Sequence, residues 1–330
     1  MRLPRRAALL ALAAAAACRC GGDANGPGPM LWVGAVDAVR VDEIQPHGAR
    51  ATVARAPAID APVRALLALR DGNVLVLQEA EACEGGALDL ASGACVPATA
   101  TRRAVPPGVV LDREGRRVRA LAGVDGGGTP LFTWDTPPWA ATQDGSGRIW
   151  VTGRTAPLVY GADGALVLDP SGAATGALPS ETRGAAALAD GRVVVSYGVQ
   201  ELAIYAADGT LTDQFTPVLG ADYDGIDGLL ALPDGNLLVG SSRIGVTSAG
   251  VVLEGRLDPG ALTLVVDPST CGTLGGGRPS ALARVPGAFV TAPPLGRLLP
   301  PECGRWLSQD LAADHGCIAP EPHRGVAWVP

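Results

Sequence analysis

The residues best suited to chemistry form an acidic run in the second half of the chain. It reads Asp222-Tyr223-Asp224-Gly225-Ile226-Asp227, so three carboxylates fall within six neighbouring positions. Carboxylate oxygens are the hard ligands that Ca²⁺ takes in proteins. The run therefore predicts a cation site with Asp222, Asp224 and Asp227 as metal ligands, and Ca²⁺ is the cofactor that would suit them.

The rest of the sequence favours binding over catalysis. It contains no Gly-x-Ser-x-Gly elbow, P-loop or His-Glu-x-x-His motif. The histidines, His47, His315 and His323, show no pattern of Ser or Cys partners. All 26 basic residues are Arg, and with 33 acidic residues the formal net charge is −7 at pH 7. Such a chain lacks the basic surface that nucleic-acid binding requires, so nucleic acid is excluded as a partner.

The first 29 residues predict export and anchoring. Three Arg within the first six residues precede an unbroken apolar run over residues 7–17, which is too short to span a bilayer and predicts a signal peptide over residues 1–17. The run ends Ala15-Ala16-Ala17-Cys18, which resembles the lipobox of bacterial lipoproteins. That resemblance implies a lipid on Cys18 and attachment to the outer membrane by the lipid alone, on either face. Residues 18–29 are rich in Gly and Pro and predict a flexible tether.

The cysteines predict disulfides, because an exported protein meets an oxidising compartment. Cys83 and Cys95 lie in one Gly-rich segment and form the first predicted pair, and Cys303 and Cys317 form the second. The partners of the remaining cysteines stay open. A zinc site that combines Cys303 and Cys317 with His315 and His323 is disfavoured, because the spacing is irregular.

The elements that must position these residues come from a repeat. The string Ala231-Leu232-Pro233-Asp234-Gly235-Asn236-Leu237-Leu238-Val239 has counterparts around Gly72 and Gly191. Each is an apolar run, a glycine turn and a second apolar run, which predicts a β-hairpin. The glycines predicted at these inner turns are Gly72, Gly147, Gly191, Gly235 and Gly287. A second hairpin follows each one, with outer turns predicted at Gly115, Gly164, Gly209, Gly260 and Gly304. In the fourth unit Gly250 is the alternative to Gly260. The nine Asp-Gly pairs are accordingly predicted to be turns and not metal sites.

Two hairpins in about 44 residues are typical of a propeller blade. Five such units cover residues 57–312, and the first carries an insertion of about 25 residues that reads as an extra loop. Three N-terminal strands and one C-terminal strand complete a sixth blade. The sequence thus predicts an all-β fold over residues 30–330, a monomeric six-bladed β-propeller with four-stranded antiparallel blades. A β-sandwich and a seven-bladed ring are the alternatives.

The string from Asp227 to Val239 is similar to six-bladed propellers of the NHL and SMP-30-like kind. The resemblance implies that ligands lie over the central channel, on the face made by the blade-to-blade connectors and the loops between second and third strands. Guanidinium groups on that face would suit a carboxylate or phosphate. The candidate ligand-face residues are Arg154, Arg183, Tyr197, Arg243, Arg278 and Arg324.

Two functions follow from this resemblance. The first is non-catalytic binding of a protein partner or a small anionic ligand at the cell envelope. The alternative is a metal-dependent hydrolase of lactone or ester type centred on Asp227. Asp227-Gly228 matches the position of a metal-binding Asp in SMP-30-like lactonases, whereas the Glu and Asn ligands of those enzymes have no counterpart at the corresponding places.

Overall fold

A computed structural model of the chain describes the larger part of residues 30–329. The described ranges are 30–35, 39–44, 50–56, 59–89, 94–132, 137–169, 176–217, 219, 223–243, 250–258, 263–273, 281–285, 288–292, 305–308, 314–317 and 323–329. The predicted signal peptide and tether, with Cys18, lie outside these ranges. Among the described residues, no helix has the length and apolar character that crossing a membrane requires.

Every regular element in the described ranges is a β-strand. Those of the first half are β1 (Met30–Ala35), β2 (Val39–Ile44), β3 (Arg50–Ala56), β4 (Val63–Ala68), β5 (Val74–Gln78), β6 (Glu81–Glu84), β7 (Ala87–Leu88), β8 (Cys95–Val96), β9 (Thr101–Ala104), β10 (Gly108–Leu111), β11 (Arg117–Ala120), β12 (Ala141–Gln143), β13 (Ile149–Val151), β14 (Leu158–Tyr160) and β15 (Leu166–Leu168). Those of the second half are β16 (Thr182–Ala187), β17 (Val193–Tyr197), β18 (Glu201–Tyr205), β19 (Leu211–Phe215), β20 (Tyr223–Ala231), β21 (Asn236–Arg243), β22 (Gly250–Asp258), β23 (Thr263–Thr273), β24 (Ala281–Val285), β25 (Ala288–Ala292), β26 (Arg305–Ser308), β27 (Asp314–Cys317) and β28 (His323–Val329).

These strands form six four-stranded antiparallel sheets in the described part of the chain. Five of the sheets take their strands from one stretch of sequence, as the repeat predicts. The remaining sheet has the order β28-β1-β2-β3, so it joins the two ends of the chain. Met30 is opposite Val329 and Val33 is opposite Val326 in the β1–β28 ladder. The predicted closure by three N-terminal strands and one C-terminal strand is therefore observed.

The first strand of each repeat unit lies next to the first strand of its neighbour. These strands are β4, β12, β16, β20, β24 and β28; each contacts the next, and β28 contacts both β24 and β4. We call them the inner strands. In a unit, the first residue of the inner strand is opposite the last residue of the second strand, as Val63 is opposite Gln78 and Thr182 is opposite Tyr197. The connection from the second to the third strand therefore lies at the end of the sheet where the inner strand begins.

The core lies between neighbouring sheets. Central strands such as β5 are buried along their whole length and point alternate side chains at the two adjacent sheets. Val74 and Val76 pack with Trp32 of the preceding sheet, whereas Leu75 and Leu77 pack with Ile149 of the following one. Each such side chain contributes about 1.5–3 kcal/mol by leaving water. An uninterrupted apolar run such as that of β5 therefore marks a central strand whose sheet is covered on both faces.

Most of the predicted turns are confirmed. Gly72 and Gly191 have φ of 81° and 90°, a backbone conformation that favours glycine. The Asp before each glycine accepts a hydrogen bond from a backbone N–H two residues further on, from Asn73 to Asp71 and from Arg192 to Asp190.

Two predicted Asp-Gly turns are wrong, and one outer turn was assigned to the wrong place in the sequence. Asp224-Gly225 and Asp227-Gly228 lie inside β20 and form no turn, because here the acidic residues belong to an inner strand. The Cys303-Gly304 pair was predicted as an outer turn. The pair lies outside the described ranges, and the two strands that an outer turn would join, β26 and β27, both follow it in the chain.

The insertion in the first unit is more ordered than the predicted loop. β6 pairs with β9 and β7 pairs with β8, which gives two short ladders. The predicted disulfide between Cys83 and Cys95 is confirmed, with Cα atoms 5.6 Å apart. A small cluster of Ala61, Ala82 and Val105 holds this extension against the beginning of the first unit.

Candidate functional site

Arg183 and Asp227 form an ion pair at the inner strands. Arg183 Nη1 lies 3.0 Å from Asp227 Oδ1, and the pair joins β16 to β20. The Asp227 side chain is 8% exposed and that of Arg183 is 23% exposed. From the sequence, Arg183 was predicted to bind an anion on the ligand face and Asp227 was predicted to bind a cation. The structure brings them together at one place.

Both residues occupy irregularities of their strands. The β16–β17 register shifts between Thr182 and Ala185, and the β20–β21 register shifts between Asp224 and Gly228. A β-bulge bends a strand and redirects the side chains within it, and bulges are common beside binding sites. In a regular strand, successive side chains point to opposite faces of the sheet. The bulges interrupt this alternation at Arg183 and Asp227.

Arg64 occupies in β4 the position that Arg183 occupies in β16, and it was not predicted as a site residue. It lies where the β4–β5 register shifts between Val63 and Ala65. Its guanidinium forms an ion pair with Glu79, whose side chain is 5% exposed. Arg64, Arg183 and Arg324 are each the second residue of an inner strand. That repeated position is the signal that could have identified Arg64. We call the end of the propeller marked by Arg64, Arg183 and Asp227 the mouth.

Hydroxyl groups fix the backbone around the mouth. Thr152 donates a hydrogen bond to the carbonyl of Arg183, and the Thr182 hydroxyl donates to the carbonyl of Arg154 at 2.9 Å. Ser196 accepts the N–H of Gly184 at 2.8 Å. All three hydroxyl residues are buried. The Thr152 and Thr182 hydrogen bonds link neighbouring sheets, whereas the Ser196 bond joins β16 to β17 within one sheet. Together they hold the backbone on both sides of Arg183.

Trp139 completes the surroundings of Arg183. The guanidinium carbon lies 5.4 Å from the centre of the indole ring, within the range of a cation–π contact. Glu181 makes a longer contact, with Oε1 3.4 Å from Arg183 Nη2. Among the residues that the structure describes, the N–H groups of Trp139 Nε1 and Arg183 Nε have no hydrogen-bond acceptor.

Two other predicted ligand-face residues are engaged elsewhere. Arg154 Nη1 lies 2.8 Å from Asp169 Oδ2, just beyond the outermost strand of its own sheet, and its guanidinium lies over the Phe132 ring. The hydroxyl of Tyr197 donates to Gln214 at 3.0 Å, and its ring packs in the core between two sheets. Burial, followed by the charge of Glu201, raises the pKa of Tyr197. Arg154 and Tyr197 both lie at the end of the propeller predicted to carry the ligand face, and their side chains contact residues of their own or neighbouring sheets.

The remaining predicted residues are described in part. Asp224, Arg243, Arg324 and Cys317 have a described backbone position within strands, and Arg243 is opposite Tyr223. The candidates outside the described ranges are Asp222, Arg278, Cys303 and Cys18. No three His, Cys, Asp or Glu side chains within the described ranges come together as a metal site would require.

The described donors do not suit a cation at Asp227. One oxygen of the Asp227 carboxylate already faces the positive guanidinium of Arg183 at 3.0 Å, and a metal ion there would meet a like charge. Arg183 instead presents its guanidinium N–H groups beside the Trp139 ring, and a guanidinium has the geometry to bind carboxylate or phosphate oxygens.

Comparison with known proteins defines the class. No protein-family model matches the chain, and no curated protein matches it. A protein of unknown function from Bacteroides caccae is similar in structure, with a TM-score of 0.56 and 12% identity over 92% of this chain and 99% of that one. The periplasmic gluconolactonase PpgL of Pseudomonas aeruginosa has a TM-score of 0.54, also at 12% identity and with the same coverage. The chain is an all-β propeller built of antiparallel sheets.

Proposed function

We propose that this protein is a non-catalytic binding propeller that takes a small anionic ligand at the mouth. The observation that carries the proposal is the Arg at the second position of three inner strands, Arg64, Arg183 and Arg324. Arg183 is fixed by Trp139 and by the bulge of β16, so its guanidinium is preorganised for a carboxylate or phosphate oxygen.

We also propose that the six sheets close as a six-bladed ring of the NHL and SMP-30-like kind, carried on an exported lipoprotein. The cyclic order of contacts between inner strands supports the blade number. The basic and apolar N-terminal segment ending in Cys18 supports export and lipid attachment to the outer membrane. A lipid-anchored propeller of this kind would present its mouth to small molecules at the cell envelope.

The second candidate function is lactone hydrolysis around Asp227. It is favoured by the likeness in fold to a gluconolactonase and by the burial of Asp227 within an inner strand. The ion pair with Arg183 counts against a metal ion at this carboxylate. For this reason we place binding first.

One set of samples tests both functions. We expect calorimetric titration to show binding of gluconate, a carboxylate probe, and none of glucose, its neutral relative. Arg183→Gln should lose most of the binding, whereas Arg113→Gln, on an outer turn at the other end of the propeller, should leave it unchanged. Hydrolysis of glucono-δ-lactone together with stoichiometric Ca²⁺ or Zn²⁺ that is lost in Asp227→Ala would instead establish the second function.

A further inference from the structure

We propose that Glu181 is the carboxylate that an incoming ligand displaces from Arg183, and that it thereby sets which anions the mouth accepts. This inference rests on the proposed function. It names the ligand group as a carboxylate on a small molecule and Glu181 as the residue that competes with it. Glu181 immediately precedes the inner strand β16 and is two residues before Arg183.

The two carboxylates on Arg183 differ in how firmly they are held. Asp227 lies 3.0 Å from Nη1, and its side chain is 8% exposed. Glu181 lies 3.4 Å from Nη2, and its side chain is 34% exposed. Hydrogen bonds weaken toward that longer distance, and an exposed ion pair contributes little. Asp227 is therefore the fixed partner of Arg183, and Glu181 is the exchangeable one.

Arg183 is held independently of Glu181. Trp139 lies against the guanidinium, and the Arg183 carbonyl accepts a hydrogen bond from Thr152. The next residue, Gly184, donates its N–H to Ser196. When Glu181 swings into solvent, the guanidinium keeps its place. A ligand oxygen then meets Nη2 without having to order the Arg side chain.

Arg64, whose side chain the structure also describes at the mouth, is paired with a more deeply buried carboxylate. The Arg64 side chain is 14% exposed and that of its partner Glu79 is 5% exposed, so this pair is closed to solvent. Removing a buried partner is costly because it strands the opposite charge. Ligand exchange is therefore expected at Arg183 and not at Arg64.

The carboxylate of Glu181 also acts as a filter. A neutral ligand replaces it less readily than an anion does, because the guanidinium would lose a charged acceptor and gain a weaker one. A carboxylate ligand restores the charge and can add contacts with the Trp139 ring. The mouth should therefore discriminate by charge first and by shape second.

The test is calorimetric titration of gluconate into the full-length protein and its variants. Glu181→Gln keeps the size of the side chain and removes its charge, and we expect it to bind gluconate about two- to fivefold more tightly, the range that a half-exposed ion pair represents. Glu114→Gln, which removes a charge from an outer turn, is the matched control and should bind like the wild type. Arg183→Gln and Arg183→Lys should lose most of the binding, and thermal melts verify that both variants are folded.

The outcomes separate this inference from the proposed function. Unchanged or weaker gluconate binding by Glu181→Gln, with binding still dependent on Arg183, overturns the role of Glu181 and leaves the proposed function standing. No binding of gluconate, acetate or phosphate by the wild type overturns both. Tighter binding by Glu114→Gln to the same extent would assign the effect to net charge and also overturn the inference.

Discussion

Asp144 shows how one carboxylate can fix a turn. Its side chain is 1% exposed and accepts hydrogen bonds from Ser146, from Arg148 and from the indole N–H of Trp150 at 2.9 Å. Burial opposes the charged form of Asp144, but the hydrogen bonds from Ser146, Trp150 and Arg148 outweigh it and hold the pKa of this carboxyl below its ordinary value. The charge of Asp144 thus contributes to stability at neutral pH.

We expect Asp144→Asn to lower the free energy of unfolding by about 1–3 kcal/mol at pH 7, because an amide cannot accept all of these hydrogen bonds. A lowered folded-state pKa gives a contribution that is complete above the ordinary pKa of about 3.9 and is lost as the pH falls through the folded-state value. The difference between wild type and variant should therefore shrink below about pH 4. Urea unfolding from pH 3 to pH 7 measures this difference.

Asp163→Asn serves as the control, because Asp163 lies in an exposed outer turn and accepts the backbone N–H of Ala165. Its effect should stay within about 0.5 kcal/mol. A difference for Asp144→Asn that persists unchanged at pH 3 would refute the electrostatic explanation.

The residue scale also shows which parts of the site the sequence could predict. The Asp-Gly turns were accessible because their chemistry is local, as Asp71 and Asn73 illustrate. The Arg183–Asp227 pair was not, because the two residues are 44 positions apart and meet only through bulges in β16 and β20. A strand period of two gives no sign of where it will be interrupted.

At the scale of elements, Gly184 determines how closely two inner strands approach. A Cβ added to Gly184 would lie 3.0 Å from the carbonyl oxygen of Asp227, 3.1 Å from the backbone nitrogen of Leu229 and 3.1 Å from the Ser196 hydroxyl. Two of these neighbours are backbone atoms of β20 that cannot move alone. The absence of a side chain at Gly184 therefore allows β16 and β20 to bring Arg183 and Asp227 together.

Gly184→Ala should separate these strands and cost about 1–3 kcal/mol of stability, as overpacking does. It should also weaken gluconate binding, since the Arg183–Asp227 geometry depends on the same approach. Gly145→Ala is the control, because Gly145 has open space around its Cβ position. Thermal unfolding and titration of both variants measure these effects. Equal stability of the two variants would show that β16 and β20 have room to spare.

The strands of the repeated hairpins were predicted better than the last outer turn and the short ladders of the insertion. The hairpin repeat gave the correct strands around Gly72, Gly191 and Gly235 because each hairpin is self-contained. Cys303-Gly304 was placed in the wrong turn because the strings that flank it lack the apolar run, glycine and apolar run of the other units. The ladders of the insertion were missed because β7 and β8 have two residues each, too few for a pattern.

At the scale of the whole molecule, the joint between β1 and β28 closes the sheet that contains both ends of the chain. Ala327 and Val329 of β28 are buried in the same hydrophobic cluster as Trp32. Ending the chain at residue 322 would remove β28, uncover this core and leave β1 as an unpaired edge. Exposed edges pair with other chains.

We expect the shortened protein to melt at a lower temperature and to associate, as measured by differential scanning calorimetry and size-exclusion chromatography. Removing Pro330 alone is the control and should change neither property, since β28 ends at Val329. A monomeric shortened protein with the melting temperature of the wild type would contradict the structural role assigned to β28.

The pairing of β1 with β28 affects the order in which the sheets can fold during synthesis. During synthesis β1, β2 and β3 are made first, whereas β28, which must pair with β1, is made last. The earliest strands must therefore wait for nearly the whole chain, while each of the other units can begin to fold as soon as it emerges. A contact between strands so far apart in sequence has a large entropic cost of closure, which slows folding. A chain whose synthesis stops before β28 would keep its other sheets and lack the fourth strand of the sheet that contains β1, β2 and β3.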